Sequence, residues 1–320
     1  MPKSKDLKIV LVNMPVNEIE DDKRQPPGGL VSLATYATSK GYAVALHDLS
    51  GLHLPVENLC DQLPEADVYG FSTYTVTYQD TLRLVTELRY RQPQSLFIAG
   101  GPHASALPAE VALDFDYVVC GEGEYALLEL LQRLEQGQRG DTHEIICAEP
   151  IQDLDALPFP DFYKFGVADG YTRRLNGNPV ISLDSSRGCN FRCRFCNSRV
   201  NERGRWRARS AESVAAEVRW HCAQGWKSIR FNDDNFLADR QRALRICDLL
   251  RPLDIAFRIF GRAQSLDPEL CAALSGAGCC HIGVGVESLS PYMLARMGKA
   301  TRVSQIRDGI HAAWQAGITV

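Results

Sequence analysis

Cys189, Cys193 and Cys196 fall within one short run, Ser185-Ser186-Arg187-Gly188-Cys189-Asn190-Phe191-Arg192-Cys193-Arg194-Phe195-Cys196. Thiolates at this CxxxCxxC spacing can wrap one soft metal centre from a single loop. A zinc site would want a fourth cysteine or histidine at ligand spacing, often as a second CxxC pair. The chain has no such pair, and Cys279 and Cys280 are adjacent. Iron–sulfur clusters usually take four cysteines. Three local ones favour a 4Fe–4S cluster with one iron open to a substrate, over zinc and over a loop without metal.

Eleven cysteines in 320 residues is an odd count in a chain too long for a small disulfide scaffold. The other eight (Cys60, Cys120, Cys147, Cys222, Cys247, Cys271, Cys279, Cys280) sit among apolar neighbours and read as small buried hydrophobes. The net charge of -4 gives no general attraction to nucleic acid. Basic residues do gather between Arg199 and Arg209, as a solvated face or a contact for an anionic substrate or an acidic reductase. No apolar run reaches the roughly 18 residues of a membrane span, and MPKSKDLKIV lacks a signal-peptide core, so the cytoplasm is expected.

Two β/α series must position these residues. Apolar strands are expected at 8–14, 42–48, 67–73, 96–99 and 116–120, with helices from Leu30, Gln79 and Tyr125. Short apolar strands separated by helices imply an α/β fold with a parallel, flavodoxin-like (Rossmann-like) sheet. Its ligand would lie beyond the carboxyl ends of the strands. Residues 1–140 form this domain. Prolines at 158 and 160 mark 141–178 as an extended linker. A second series follows over 179–320, with strands at 179–184, 227–231, 256–260 and 279–286. Ser210 is placed to cap a helix over 211–223. The series stops at Gly317-Ile318-Thr319-Val320, the opening of a fifth strand, so a partial β/α barrel, truncated at its C-terminal end, is expected.

The cysteine loop resembles the signature of the radical S-adenosylmethionine (SAM) superfamily, including Arg187-Gly188 before the first cysteine and Phe195 before the last. The resemblance implies a cluster on Cys189, Cys193 and Cys196 whose open iron chelates SAM. Reductive C–S cleavage then gives a 5′-deoxyadenosyl radical, fed by an external flavodoxin- or ferredoxin-type donor. Phe231-Asn232-Asp233-Asp234-Asn235-Phe236, Arg262 and Gly283-Val284-Gly285-Val286-Glu287-Ser288 resemble the family's SAM-contacting strand ends. Phe195, Asp233, Asp234, Arg262, Glu287 and Ser288 are the implied SAM contacts.

The first domain resembles the cobalamin-binding subclass through Pro26-Pro27-Gly28-Gly29-Leu30, Gly70-Phe71-Ser72-Thr73, Gly100-Gly101-Pro102-His103-Ala104-Ser105 and Asp116-Tyr117-Val118-Val119-Cys120-Gly121-Glu122-Gly123-Glu124. Ser72, Thr73, Gly100, Gly101, Pro102, His103, Gly121 and Glu122 are the implied cobalamin contacts. Where cobalt-ligating relatives carry DxHxxG, this chain has Asp48-Leu49-Ser50-Gly51-Leu52-His53. Ser50 occupies the histidine position, so cobalt without a histidine from this motif is expected, with His103 a loop residue near the nucleotide tail. The resemblance implies a cobalamin-dependent methyltransferase acting on an unactivated carbon of a small molecule or peptide. A non-methylating radical cyclase, or a cobalamin-binding module with an inactive barrel, are the alternatives.

Overall fold

The computed structural model describes residues 7–140, 143–198 and 205–320, and divides the chain into two compact units. Residues 1–151 and 157–172 form the first; 152–156 and 173–320 form the second.

The first unit is built on six parallel strands: β1 (Lys8–Asn13), β2 (Ala43–Asp48), β3 (Val68–Ser72), β4 (Leu96–Gly100), β5 (Tyr117–Cys120) and β6 (Glu144–Cys147). Their order is β2-β1-β3-β4-β5-β6. Helices α1 (Gly28–Ser39), α2 (Tyr78–Arg91) and α3 (Gly123–Glu135) supply the main crossovers. Successive strand residues point to opposite faces, so the apolar runs feed two cores. Val10, Val12, Tyr69, Phe71, Phe97 and Ala99 pack on one side, and Ile9, Leu11, Val68, Ile98 and Val119 on the other. The chain leaves β1 in opposite directions towards β2 and β3, a topological switch that opens a crevice at the carboxyl ends.

β6 lies inside the stretch expected to be an extended linker. Its burial alternates between partial and exposed, as suits an outer strand. Its apolar run, Ile145-Ile146-Cys147-Ala148, is short and lies between charged residues, and Cys147 is exposed there rather than buried. Residues 157–172 also belong to the first unit. Tyr171 donates its hydroxyl to Asp48 Oδ2 at 2.5 Å, and the Asp161 amide donates to Thr35 Oγ1 at 2.9 Å.

The second unit repeats strand and helix: β7 (Ile181–Leu183), α4 (Ala211–Ala223), β8 (Ser228–Phe231), α5 (Arg240–Leu250), β9 (Ala256–Gly261), α6 (Pro268–Gly276), β10 (Cys279–Val284) and α7 (Val303–Gln315). Helices α4, α5 and α6 start at side-chain caps. Ser210 accepts from the Ser213 amide, Asp239 from Arg242 and Asp267 from Leu270. The strands form a parallel sheet in the order β10-β9-β8-β7, which is not closed into a barrel among the described residues. A parallel bridge from His281 to Thr319 starts a further pairing beyond β10. Gly309 lets α7 approach closely: a Cβ there would lie 1.9 Å from the Ala263 carbonyl oxygen. No helix among the described residues is long and apolar enough to cross a membrane.

Candidate active site

The cysteine loop leaves the carboxyl end of β7 and is fastened from below. The Ser185 amide donates to Asp233 Oδ1 at 2.8 Å, and the Ser185 and Ser186 hydroxyls both donate to Oδ2 at 2.6 Å. From the side, the Arg194 amide donates to the Met297 carbonyl at 2.9 Å. Within the loop the Cys196 amide donates to Cys193 O at 3.3 Å, turning the chain between two of the thiols. Cys193 is buried, while Cys189 and Cys196 are partly open.

No group of three thiol, imidazole or carboxylate side chains among the described residues is arranged to hold a single metal ion. A four-iron cluster makes a different demand, since each thiolate binds its own iron. The donor set fits such a cluster in kind: three thiols and no local fourth. Arg262 supplies the second sign of fit. Its side chain is buried, its Nη1 reaches Cys193 Sγ at 3.4 Å, and its Cζ lies 3.7 Å from the centre of the Phe191 ring. Its Nε and Nη2 are buried without hydrogen-bond partners. A buried cation is costly without a counter-charge, and a thiolate-held cluster brings one. Burial pushes the Cys189 thiol up, with the Phe191 amide partly opposing it. Metal binding repays that cost, because it takes the thiolate.

The other residues expected to meet SAM divide into two sets. Asp233 is almost fully buried, and both its oxygens are taken by Ser185 and Ser186, so here it positions the loop. Asp234 accepts from Ser198 at 2.6 Å, and Ser198 in turn lies 3.4 Å from Cys196 Sγ, which keeps this carboxylate at the thiols. Phe195 is exposed beside them. Glu287 has a φ of 59° and is held by Lys299, whose Nζ lies 3.1 Å from Oε1. Ser288 accepts from the Ser290 amide at 3.0 Å, capping the next turn.

Lys299 escaped sequence reading. It is buried, pairs with Glu287, and stands 5.9 Å from the Phe195 ring centre. It lies outside any strand and carries no motif, so no local signal marks it. The basic run is corrected only at its end. Residues 199–204 lie outside the described residues. Arg205 is exposed, as a solvated face requires, whereas Arg207 and Arg209 are buried, and Arg209 pairs with Glu217 and donates to the carbonyls of Asp184 and Ser213.

Asp184, at the carboxyl end of β7, also went unmarked. Solvent reaches it, yet the surrounding protein desolvates it, and against the pull of Arg187 its carboxyl is pushed up to about 6. A carboxyl raised on folding binds its proton more tightly in the native state. Its contribution therefore favours the folded chain at low pH and is lost as pH rises from about 4 through about 6. Asp184→Asn should flatten that part of a urea-midpoint against pH curve. An unchanged slope would show that Asp184 titrates normally.

In the first unit, the expected cobalamin contacts gather at the carboxyl ends of β3, β4 and β5. Ser72 pairs in register with Gly100. Gly101 has a φ of +90°, and a Cβ there would meet Ser72 Oγ and Thr73 N at 3.0 Å. The Gly121 amide donates to Ser105 Oγ at 3.0 Å, and Glu122 Oε2 accepts from the Ile151 amide at 2.5 Å. This small-residue rim leaves backbone open to a large flat ligand, which fits cobalamin. Thr73 is turned inward, donating to Gly100 O at 2.8 Å and accepting from the Ala104 amide at 3.2 Å. Pro102 sits in the first turn of the short helix Gly101–Ala106. His103 is buried against Tyr78, with Nδ1 3.1 Å from Thr75 Oγ1. Ser50 stands buried where a DxHxxG histidine would project, and Asp48 is engaged by Asn13 and Tyr171.

Comparison with known proteins agrees with this geometry. Residues 20–131 match the B12 binding domain, and residues 183–320 match the Radical SAM superfamily. An uncharacterized methyltransferase of Pyrococcus horikoshii is 28% identical over 92% of this chain and 67% of its own length. The anaerobic magnesium-protoporphyrin IX monomethyl ester cyclase of Synechocystis is 25% identical over 98% of this chain and 67% of its own. The solved structure of the cobalamin-dependent SAM radical enzyme OxsB with aqua-cobalamin bound superposes with a TM-score of 0.81 at 20% identity. It covers 98% of this chain, which spans 48% of its length.

Proposed function

We propose, from the premise that this chain belongs to the Radical SAM superfamily and carries a B12 binding domain, that it serves a cobalamin-dependent radical methyltransferase acting on an unactivated carbon. The observation that carries the reading is the three-thiol loop with the Arg262 guanidinium buried against Cys193. Cys189, Cys193 and Cys196 would hold a 4Fe–4S cluster, and Ser72, Gly100, Gly101 and Gly121 would line the cobalamin face. With SAM, these groups supply one-electron C–S cleavage to a 5′-deoxyadenosyl radical and a methyl group for transfer.

The chain's own residues set the conditions for that chemistry. Arg262 would offset negative charge on the thiolates, with its guanidinium carbon over the Phe191 ring. Asp234, steadied by Ser198, and Glu287, steadied by Lys299, each present a carboxylate able to accept from an ammonium or hydroxyl. Ser50 stands where a DxHxxG histidine would be, so this motif would hold cobalamin without supplying an imidazole. An external flavodoxin- or ferredoxin-type protein supplies electrons in a reducing cytoplasm, and the substrate is a small molecule or peptide.

Anaerobic reconstitution with SAM and a reductant tests this. 5′-Deoxyadenosine together with S-adenosylhomocysteine, and a product carrying label from the SAM methyl group, are expected. The Synechocystis relative's name raises a second reading, a non-methylating cyclase. Deoxyadenosine with no labelled product would favour it. No iron uptake and no cleavage would leave a binding module.

A further inference from the structure

Strand register in the second sheet brings three unused hydrogen-bond acceptors to one face. Ser182 of β7 pairs with Arg230 of β8, and Leu183 with Phe231. Ile181, Leu183, Ile229 and Phe231 are buried together. Side chains alternate along a strand, so Ser182 and Asp184 of one chain segment share the opposite face with Asn232 of the next. The ladder continues to that point, since the Asn232 amide donates to Leu183 O at 2.8 Å. Ser185 and Asp233, the residues after Asp184 and Asn232, bond to each other, as alternation requires of the first face. Neighbouring strands lie about 4.8 Å apart, which sets Asp184 beside Asn232.

No hydrogen bond or ion pair reaches the Asp184 carboxylate among the described residues. Ser182 Oγ and Asn232 Oδ1 are buried without a hydrogen-bond partner. Solvent reaches Asp184 although protein surrounds it, which places the side chain in the wall of a recess and not on a convex surface. Its charged neighbours are Arg187, Asp233, Glu217 and Arg209. Glu217 is paired with Arg209, and Asp233 is held by Ser185 and Ser186. Arg187 draws the Asp184 carboxyl down, but burial outweighs it. Farther across the same face stands Phe260, paired in register with Gly283. A Cβ at 283 would come within 2.6 Å of the Phe260 ring, so beyond Asn232 the face is a flat ring and open backbone. Arg230 and Arg258, one step lower, lie 5.2 and 4.8 Å from the centre of that ring. A carboxylate, an amide oxygen and a hydroxyl oxygen, all lacking a donor, match a group with several N–H bonds and a positive charge. An ammonium has three donors and no acceptor.

We propose that Asp184, Asn232 and Ser182 bind an ammonium group of the substrate, with Asp184 as the counter-charge and the other two as flanking acceptors. The inference rests on the radical-enzyme reading above and narrows its substrate class to a primary amine. Asp234, which Ser198 keeps at the thiols, is a separate carboxylate.

The test uses the cluster-free full chain at about pH 8, where Asp184 and an alkylamine are both charged. The probes are methylammonium, tetramethylammonium and acetate, read by calorimetry and by the rise in melting temperature that a native-state ligand produces. Saturable one-to-one binding of methylammonium is expected. Tetramethylammonium, which has no N–H, and acetate should bind much more weakly. Asp184→Asn should weaken methylammonium binding about tenfold or more, and Asp184→Glu less. Asn232→Leu provides a second variant if the asparagine chain does not fold. No saturable binding, equal binding by wild type and these variants, or either control probe binding as well as methylammonium would each overturn the proposal. The cluster-loaded chain separates two sources of ammonium. Methylammonium should still bind beside saturating SAM; displacement by SAM would assign the site to the amino group of SAM and overturn the substrate reading. SAM cleavage by the reconstituted wild-type chain is measured separately. Cleavage without amine binding sinks this inference alone; amine binding without cleavage sinks the radical-enzyme reading alone.

Discussion

Cys193→Ala should reduce SAM cleavage to the level of a protein-free control and cut iron uptake on anaerobic reconstitution. Of the three thiols Cys193 is the buried one, and it is the one that Arg262 touches. Removing it takes a cluster ligand and leaves a buried guanidinium with nothing to offset it. The paired variant Arg262→Met separates these effects by sign. In the metal-free chain Arg262 is a buried cation whose Nε and Nη2 have no partner. Replacing it with an apolar side chain of similar length should leave metal-free stability equal or higher. Cluster loading should fall, by the roughly 10- to 100-fold typical of groups that support metal ligands. Iron content and urea unfolding of the metal-free chain provide the two readouts. A metal-free chain clearly destabilised by Arg262→Met, with full cluster loading, would show that Arg262 serves the fold alone.

Asp233→Ala should destabilise the metal-free chain by about 3 kcal/mol, because it strands three donors in a buried place. Ser185 would lose both its amide and hydroxyl partner, and Ser186 its hydroxyl partner. Burial pushes the Asp233 carboxyl up in spite of these bonds, which marks how much desolvation the loop imposes on it. Asp233→Asn keeps one acceptor oxygen and should cost less. The outcome separates two roles for the residue. If Asp233 meets SAM, as its motif suggests, the alanine variant keeps its urea midpoint and loses SAM affinity. If it anchors the cysteine loop, stability and cluster loading fall together.

The sequence carried the cluster loop and the alternation of elements with little loss. Cys189, Cys193 and Cys196 lie within one loop, so their spacing alone brings them near each other. The central strands of the first sheet are apolar runs covered on both faces, and such runs are visible one at a time. Ser210 as a helix cap is equally local, needing only the amide of Ser213. β6 was missed for the converse reason: it is short and half exposed, and β5 defines it more than its own residues do.

The direction each polar side chain takes is a different kind of fact. Asp233 and Asp234 are neighbours in one motif, yet Asp233 turns under the loop to Ser185 while Asp234 reaches Ser198. Arg209 reads as one charge in a basic run until Glu217 is placed beside it. Glu287 gains a partner from Lys299, and Arg230 and Arg258 become a pair when β8 and β9 align. The sequence by itself determined which residues could hold a cluster and that two parallel β/α units carry it, because local spacing and apolar periodicity act within a few residues. Tertiary structure alone decided which charges are buried, paired or left waiting for a ligand. Strand register joins residues tens of positions apart, and desolvation depends on everything packed around them.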